Sequence, residues 1–228
     1  MSLRRACPAF LAVPVVIALA GCAAPVPAAS AGVDIDRDLL DVTIAQLHAL
    51  YDAKTYTVTQ VVQWHLARID RYNGVYGAIE TLFREEALAE AARQDAATGA
   101  ARGPLWGVPI VVKANTSITG RVTTAGWAGF TRPGVELVAA EDATVVGKFR
   151  AAGAIVLGHT NMPDFANSDT NRSSSFGRTG NAYDVRFSPG GSSGGTSRPG
   201  SASRARCPSA STSGWSRGSP MAGLTPRR

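Results

Sequence analysis

Three side chains in this 228-residue chain have the type and setting for proton-transfer and hydroxyl chemistry: Lys113, Ser192 and Ser193. Lys113 closes the run Gly103-Pro-Leu-Trp-Gly-Val-Pro-Ile-Val-Val-Lys113, and the serines lie within Ser188-Pro-Gly-Gly-Ser-Ser-Gly-Gly-Thr196. A lysine acts as a general base at neutral pH only when burial or neighbouring groups lower its pKa by several units from ~10.4, and the end of a buried strand offers that setting. Glycines at 190, 191 and 194 permit backbone angles closed to other residues and allow close approach of another chain segment, as a backbone-lined pocket requires. An amine and a hydroxyl within ~2.6 to 3.2 Å of each other form a relay that withdraws a proton from a nucleophile without a histidine or a metal.

The remaining reactive residue types give little competition. His48, His65 and His159 are scattered, the first two in helical segments, and support neither a Ser-His-Asp triad nor a metal site. The cysteines are Cys7, Cys22 and Cys207, so residues 23 to 206 hold no disulfide framework, Cys-rich zinc site or thiol nucleophile. The net charge of +6 matches the six arginines of the 32 residues after Thr196, a segment without acid or lysine. Residues 1–196 therefore sum to zero, and no basic face for nucleic acid is implied.

The elements that must position these groups follow from periodicity. Thr43-x-x-Gln46 and Thr57-x-x-Gln60 are capping-box patterns. The first precedes an apolar face of Ile44, Leu47, Leu50 and Tyr51; the second precedes Val58, Val61, Val62, Leu66 and Ile69, with Gly74 as the stop. A strand at about 78–83 and a helix over 85–97 come next. Val108 to Val112 is apolar on both alternating faces, which predicts a strand covered on each side with Lys113 at its end. A helix over 141–152, Gly153 as its stop and a strand over 154–157 form a second unit. Alternating helices and buried strands predict an α/β domain beginning near Ile35, with its site at a strand C-terminal end.

The two termini read differently. Arg4-Arg5 precedes an apolar run from Ala9 to Ala20, too short to span a bilayer as a mature helix, and the run ends in Leu19-Ala-Gly-Cys22. That tetrapeptide resembles a bacterial lipobox, which implies acylation at Cys22, a membrane anchor there, and an exported lipoprotein at the cell surface or in the periplasm. Residues 1–22 are thus expected to be a signal segment and 23–34 an Ala/Pro linker. Residues 197–228 contain eight serines and six arginines, with Leu224 alone from the Val/Ile/Leu/Phe group. Such a segment cannot offset ~1 to 2 kcal/mol of backbone ordering per residue, so disorder is expected.

Taken together, Gly103 to Lys113 and the glycine loop preceded by Thr179-Gly-Asn-x-Tyr-x-x-x-x-Ser-Pro resemble the amidase signature family, Ser/Ser/Lys hydrolases that cleave carboxamides. The likeness runs from about Val42 to Thr196 and implies an α/β/α sandwich with a mixed sheet, of which this chain holds the N-terminal part over residues 35–196. It implies that Lys113 is the base and Ser192 the bridging serine, held by a cis peptide, that passes a proton between lysine and nucleophile. Ser193, Gly190, Gly191 and Gly194 would support the loop, and Ser173, Ser174 and Ser175 are either substrate-side contacts or turn-forming polar residues. Asn115 and Thr116 are placed to orient the lysine. The expected partner is a small-molecule amide, with no cofactor and no metal.

The family's nucleophile follows the bridging serine by about two dozen residues, in an Asp-x-Gly-x-Ser turn. Ser216 falls at that distance, but Gly214-Trp-Ser-Arg-Gly218 lacks the Asp and the glycine before the serine. The chain as written is therefore expected to be inactive, since the nucleophile and the oxyanion donors of that turn are absent together. Two further readings stand beside the hydrolase: a noncatalytic lipid-anchored binding protein that keeps the glycine loop, and a misread or frame-shifted gene product.

Overall fold

The computed structural model describes residues 34–97, 102–196 and 209–210. The signal segment, Cys22, Ser216 and, apart from two residues, the tail expected to be disordered lie outside the described residues. Asp34, expected to be the last linker residue, instead caps α1 (Ile35–Leu39), its Oδ1 accepting from the amides of Asp36 and Arg37.

Both capping boxes form. Thr43 opens α2 (Ile44–Asp52) and Thr57 opens α3 (Val58–Tyr76), each exchanging hydrogen bonds with the glutamine three residues on. The carboxylate of Asp95 adds bonds to the first amides of α3, 2.7 Å from Val58 N and 2.9 Å from Thr59 N. Gly74 is not the stop: it lies inside α3, and the helix ends at Gly77, whose left-handed φ of 57° closes it. The apolar stripe of α3 packs with Leu47 and Tyr51 into one core.

The main sheet is mixed. β1 (Ile79–Leu82) runs antiparallel to β3 (Ile155–Thr160), while β2 (Pro109–Lys113) runs parallel to β3 on its other side. Every residue of β2 and β3 is buried, as expected for strands covered on both faces. β3 extends three residues beyond the predicted 154–157, because Gly158 lets Thr81 of the neighbouring strand approach and His159 and Thr160 keep partners for their polar groups. Between the strands lie α4 (Arg84–Ala96) and α5 (Thr144–Ala151). The start of α5 is later than the predicted 141 because Asp142 turns outward to accept from Thr119 N at 2.8 Å. β4 (Arg172–Ser173) and β5 (Gly177–Arg178) form a small hairpin, and β6 (Ser209–Ala210) lies parallel to β2 beside Val111 and Val112.

The lead-in to β2 is held by Gln94, which is buried in α4. Its Oε1 accepts from Gly107 N at 2.8 Å and its Nε2 donates to Gly153 O at 3.0 Å, so one side chain ties α4 to the approaches of both central strands. Gln94→Met keeps the length of the side chain and leaves the Gly107 amide without this partner. The expected loss is about 2–3 kcal/mol, read as a lower urea midpoint at unchanged slope. An unchanged midpoint would show that the stitch does not hold these strands.

Candidate functional site

Lys113 is the last residue of β2, and its backbone is fixed on both sides: it stands in register with Thr160, Ala114 N donates to Thr160 O, and Thr116 N donates back to Lys113 O. The side chain is completely buried, and its Nζ lies 2.7 Å from Ser192 Oγ. The sequence places these residues 79 positions apart. The expected pair is therefore in contact, and the Gly191–Ser192 peptide is cis.

Close packing explains the glycines. Gly190 has a left-handed φ of 88°. Gly191 sits against the backbone of Ser168 and Asp169, Gly194 against the Asn171 side chain and Pro189, and Gly195 against the backbone of Asn161 and Ala78; a Cβ at any of these would overlap its neighbour. The loop is anchored by Gly194 N to Asn171 Oδ1, Gly195 N to Asn161 O and Ser188 Oγ to Asp169 O, and beyond it Thr196 Oγ1 lies 2.6 Å from Thr160 Oγ1. Ser193 is half-buried beside Ser192.

The three serines read as substrate-side contacts or turn formers all make hydrogen bonds within the protein. Ser173 Oγ is buried, donates to Gly126 O and accepts from the amides of Ser175 and Phe176. Ser174 Oγ accepts from Ala128 N, while Ser174 N donates to Asp164 Oδ1. Ser175 Oγ donates to Glu80 Oε1 at 3.4 Å. Asn115 is exposed, whereas Thr116 is buried and its carbonyl meets His159 Nε2 at 3.0 Å. Burial pushes His159 down to about 4 and His65 down to about 3, so both rings are neutral at pH 7. His48 Nε2 is 2.9 Å from Trp106 O. Among the described residues no group of three His, Cys, Asp or Glu side chains is arranged to hold a metal ion.

The segments Asn161 to Phe165 and Thr170 to Gly180 resemble family loops beside the substrate channel, but sequence reasoning assigned their asparagines no role of their own. Asn161 follows β3 and its Nδ2 reaches Gly77 O, Gly177 O and Thr179 Oγ1, while its Oδ1 accepts from Met162 N. Asn171 adopts a φ of 52°, a left-handed conformation that asparagine tolerates better than most residues. A polar residue directly after a buried strand is the local signal that could have found Asn161; nothing local marks Asn171.

Burial lowers the Lys113 pKa below the ordinary 10.5. The neutral amine it favours can accept a proton from Ser192, which in turn can take one from a third group. A lysine whose native pKa is depressed binds fewer protons folded than unfolded, so stability rises with pH between the lowered value and 10.5. The chain has three lysines, Lys54, Lys113 and Lys148. In a 13Cε-lysine titration the signal lost in Lys113→Met is expected to titrate below the ordinary 10.5, and the same variant is expected to flatten the rise in stability toward pH 10.5. A Lys113 signal that titrates at 10.5 or above would show it to be an ordinary solvated amine.

Residues 60–198 match the model of the family described as Amidase. The chain is 37% identical over 161 residues to a glutamyl-tRNA(Gln) amidotransferase subunit from Maridesulfovibrio salexigens, a match covering 69% of this chain and 32% of that protein. It is similar in structure to the peptide amidase of Stenotrophomonas maltophilia, with a TM-score of 0.62 and 33% identity over 68% of this chain and 33% of the other. A third similarity is to 6-aminohexanoate cyclic dimer hydrolase, with a TM-score of 0.64 and 27% identity over 73% and 33% of the two chains. The chain thus spans about a third of the length of the curated relatives it matches.

Proposed function

Because this chain belongs to the amidase family, we propose that Lys113 and Ser192 are the proton-handling part of a site that hydrolyses carbon–nitrogen bonds of small carboxamides. The observation that carries this reading is the 2.7 Å contact between a fully buried lysine and a serine in a glycine loop. The neutral lysine accepts the Ser192 hydroxyl proton as Ser192 accepts one from the nucleophile; the return of that proton to the departing nitrogen makes ammonia or an amine a competent leaving group. Hydrolysis of the acyl-enzyme by water then runs the same relay a second time.

The nucleophile is the part these residues do not supply. Residues 197–228 contain no Asp and so no Asp-x-Gly-x-Ser turn. In this reading the 228-residue chain alone turns over no amide. The Leu19-Ala-Gly-Cys22 lipobox likeness supports placing the domain outside the cytoplasm, tethered through an acylated Cys22.

The test uses the purified chain with aliphatic and aromatic amides and a fluorophosphonate probe for activated serines. No turnover and no labelling are expected, together with a Lys113 13Cε signal that responds to saturating amide. Turnover or labelling that Lys113→Ala abolishes would show that the chain carries its own nucleophile. A Lys113 signal indifferent to every amide would remove the carboxamide reading.

A further inference from the structure

Three aromatic rings from two loops meet at the surface on the segment that also walls the glycine loop. Trp127 and Phe130 belong to the turn around the 3-10 segment Ala128–Thr131, and Phe165 to that at Asp164–Ala166. Their ring centroids are 4.9 Å apart for Trp127 and Phe130, 5.5 Å for Trp127 and Phe165, and 6.0 Å for Phe130 and Phe165. Trp127 is 40% and Phe165 56% exposed, so the cluster leaves part of its apolar area uncovered. A solitary exposed aromatic needs no explanation, whereas a cluster held open by its backbone marks a recognition surface.

The backbone here is unusually constrained. Ala125, Phe165 and Ala166 all adopt left-handed φ values, 48°, 53° and 60°, which non-glycine residues rarely take without support. The support is visible: Phe165 N donates to Ala125 O, Ser175 N and Ser173 Oγ both donate to Gly126 O, Ala128 N donates to Ser174 Oγ, and Asp164 Oδ1 accepts from Ser174 N. Gly129 lies beneath the Trp127 indole, where a side chain would displace the ring. This explains why the Ser173 and Ser174 hydroxyls are committed to backbone bonds: they set the aromatic loops.

Two connections tie the cluster to the reacting pair. Ala125 N donates to the carbonyl of Ala114, the residue after Lys113. From Phe165 the chain reaches Ser168, which packs on Gly191 next to Ser192, within three residues, a span of at most ~11 Å. An aryl group seated on these rings is therefore within one small molecule's length of the glycine loop, and a ring-on-ring seat selects for aromatic over aliphatic groups of similar size.

Building on the carboxamide reading above, we infer that Trp127, Phe130 and Phe165 recognise an aromatic group on the substrate, so that the amides taken are those of aryl-bearing acids or amines. Ser173 and Ser174 are positioning residues that act through the loops.

The whole chain, labelled with 5-fluorotryptophan and 13Cε-lysine, tests this with phenylacetamide and isobutyramide as the probes. The Trp127 fluorine signal, assigned by its loss in Trp127→Phe, is expected to shift saturably with phenylacetamide together with the Lys113 signal. Half-saturation should come at a concentration roughly tenfold lower than for isobutyramide, as expected of a few aromatic contacts. Phe165→Ala and, independently, Gly129→Ala should remove that preference while Lys113 still responds to both amides. A Lys113 response without a Trp127 shift, or equal half-saturation for the two amides, overturns the aromatic assignment and leaves the hydrolase reading standing. A Trp127 shift without a Lys113 response separates the cluster from the site and likewise overturns it. Broadening of the Trp127 signal with protein concentration alone would make the cluster a contact between copies, which also excludes the proposal.

Discussion

The central physical constraint in this domain is one amine kept from water. Removing an ammonium from water costs several kcal/mol unless it is paired, and Lys113 is buried with an uncharged serine hydroxyl at 2.7 Å. The cost falls on the charged form, so burial moves this amine toward the neutral state. A carboxylate beside Nζ would lower that cost and also undo the effect, because it would favour the ammonium.

The rest of the fold can be understood as what it takes to maintain that condition. β2 must be covered on both faces to reach full burial at its last residue, which requires the helical core on one hand and β3 on the other. The glycine loop must then come within hydrogen-bonding distance across a wall of backbone, and Gly191, Gly194 and Gly195 are each pressed against main chain or a buried asparagine. Asn161 joins the loop to the end of β3, the cap of α3 and the β4–β5 hairpin through its own carbonyl and its side-chain amide. A displacement in any of these is passed to Ser192 because few of the contacts are with flexible side chains.

Much of the scaffold is legible because its signals are local. Capping boxes at Thr43 and Thr57 and the two-sided apolar run before Lys113 state their structure within a few residues, and the structure follows them. The Lys113–Ser192 pairing comes from family resemblance; nothing local joins residues 79 positions apart. The errors arise where tertiary contacts override local preference. Gly74 has the look of a helix stop but meets open space within α3, whereas Gly77 packs beneath Arg178 and takes the left-handed turn. Asp142 is drawn off the start of α5 by Thr119, and the polar end of β3 is extended because Thr160 finds Thr196.

Lys113 and Ser192 leave the ribosome far apart in time. With Ser192 trailing Lys113 by 79 residues, synthesis at about 5–20 residues per second separates them by roughly 4–16 s. During that interval the amine has no Ser192 hydroxyl to meet. The 2.7 Å contact therefore cannot form until the glycine loop has been made, whatever shelters the amine before then.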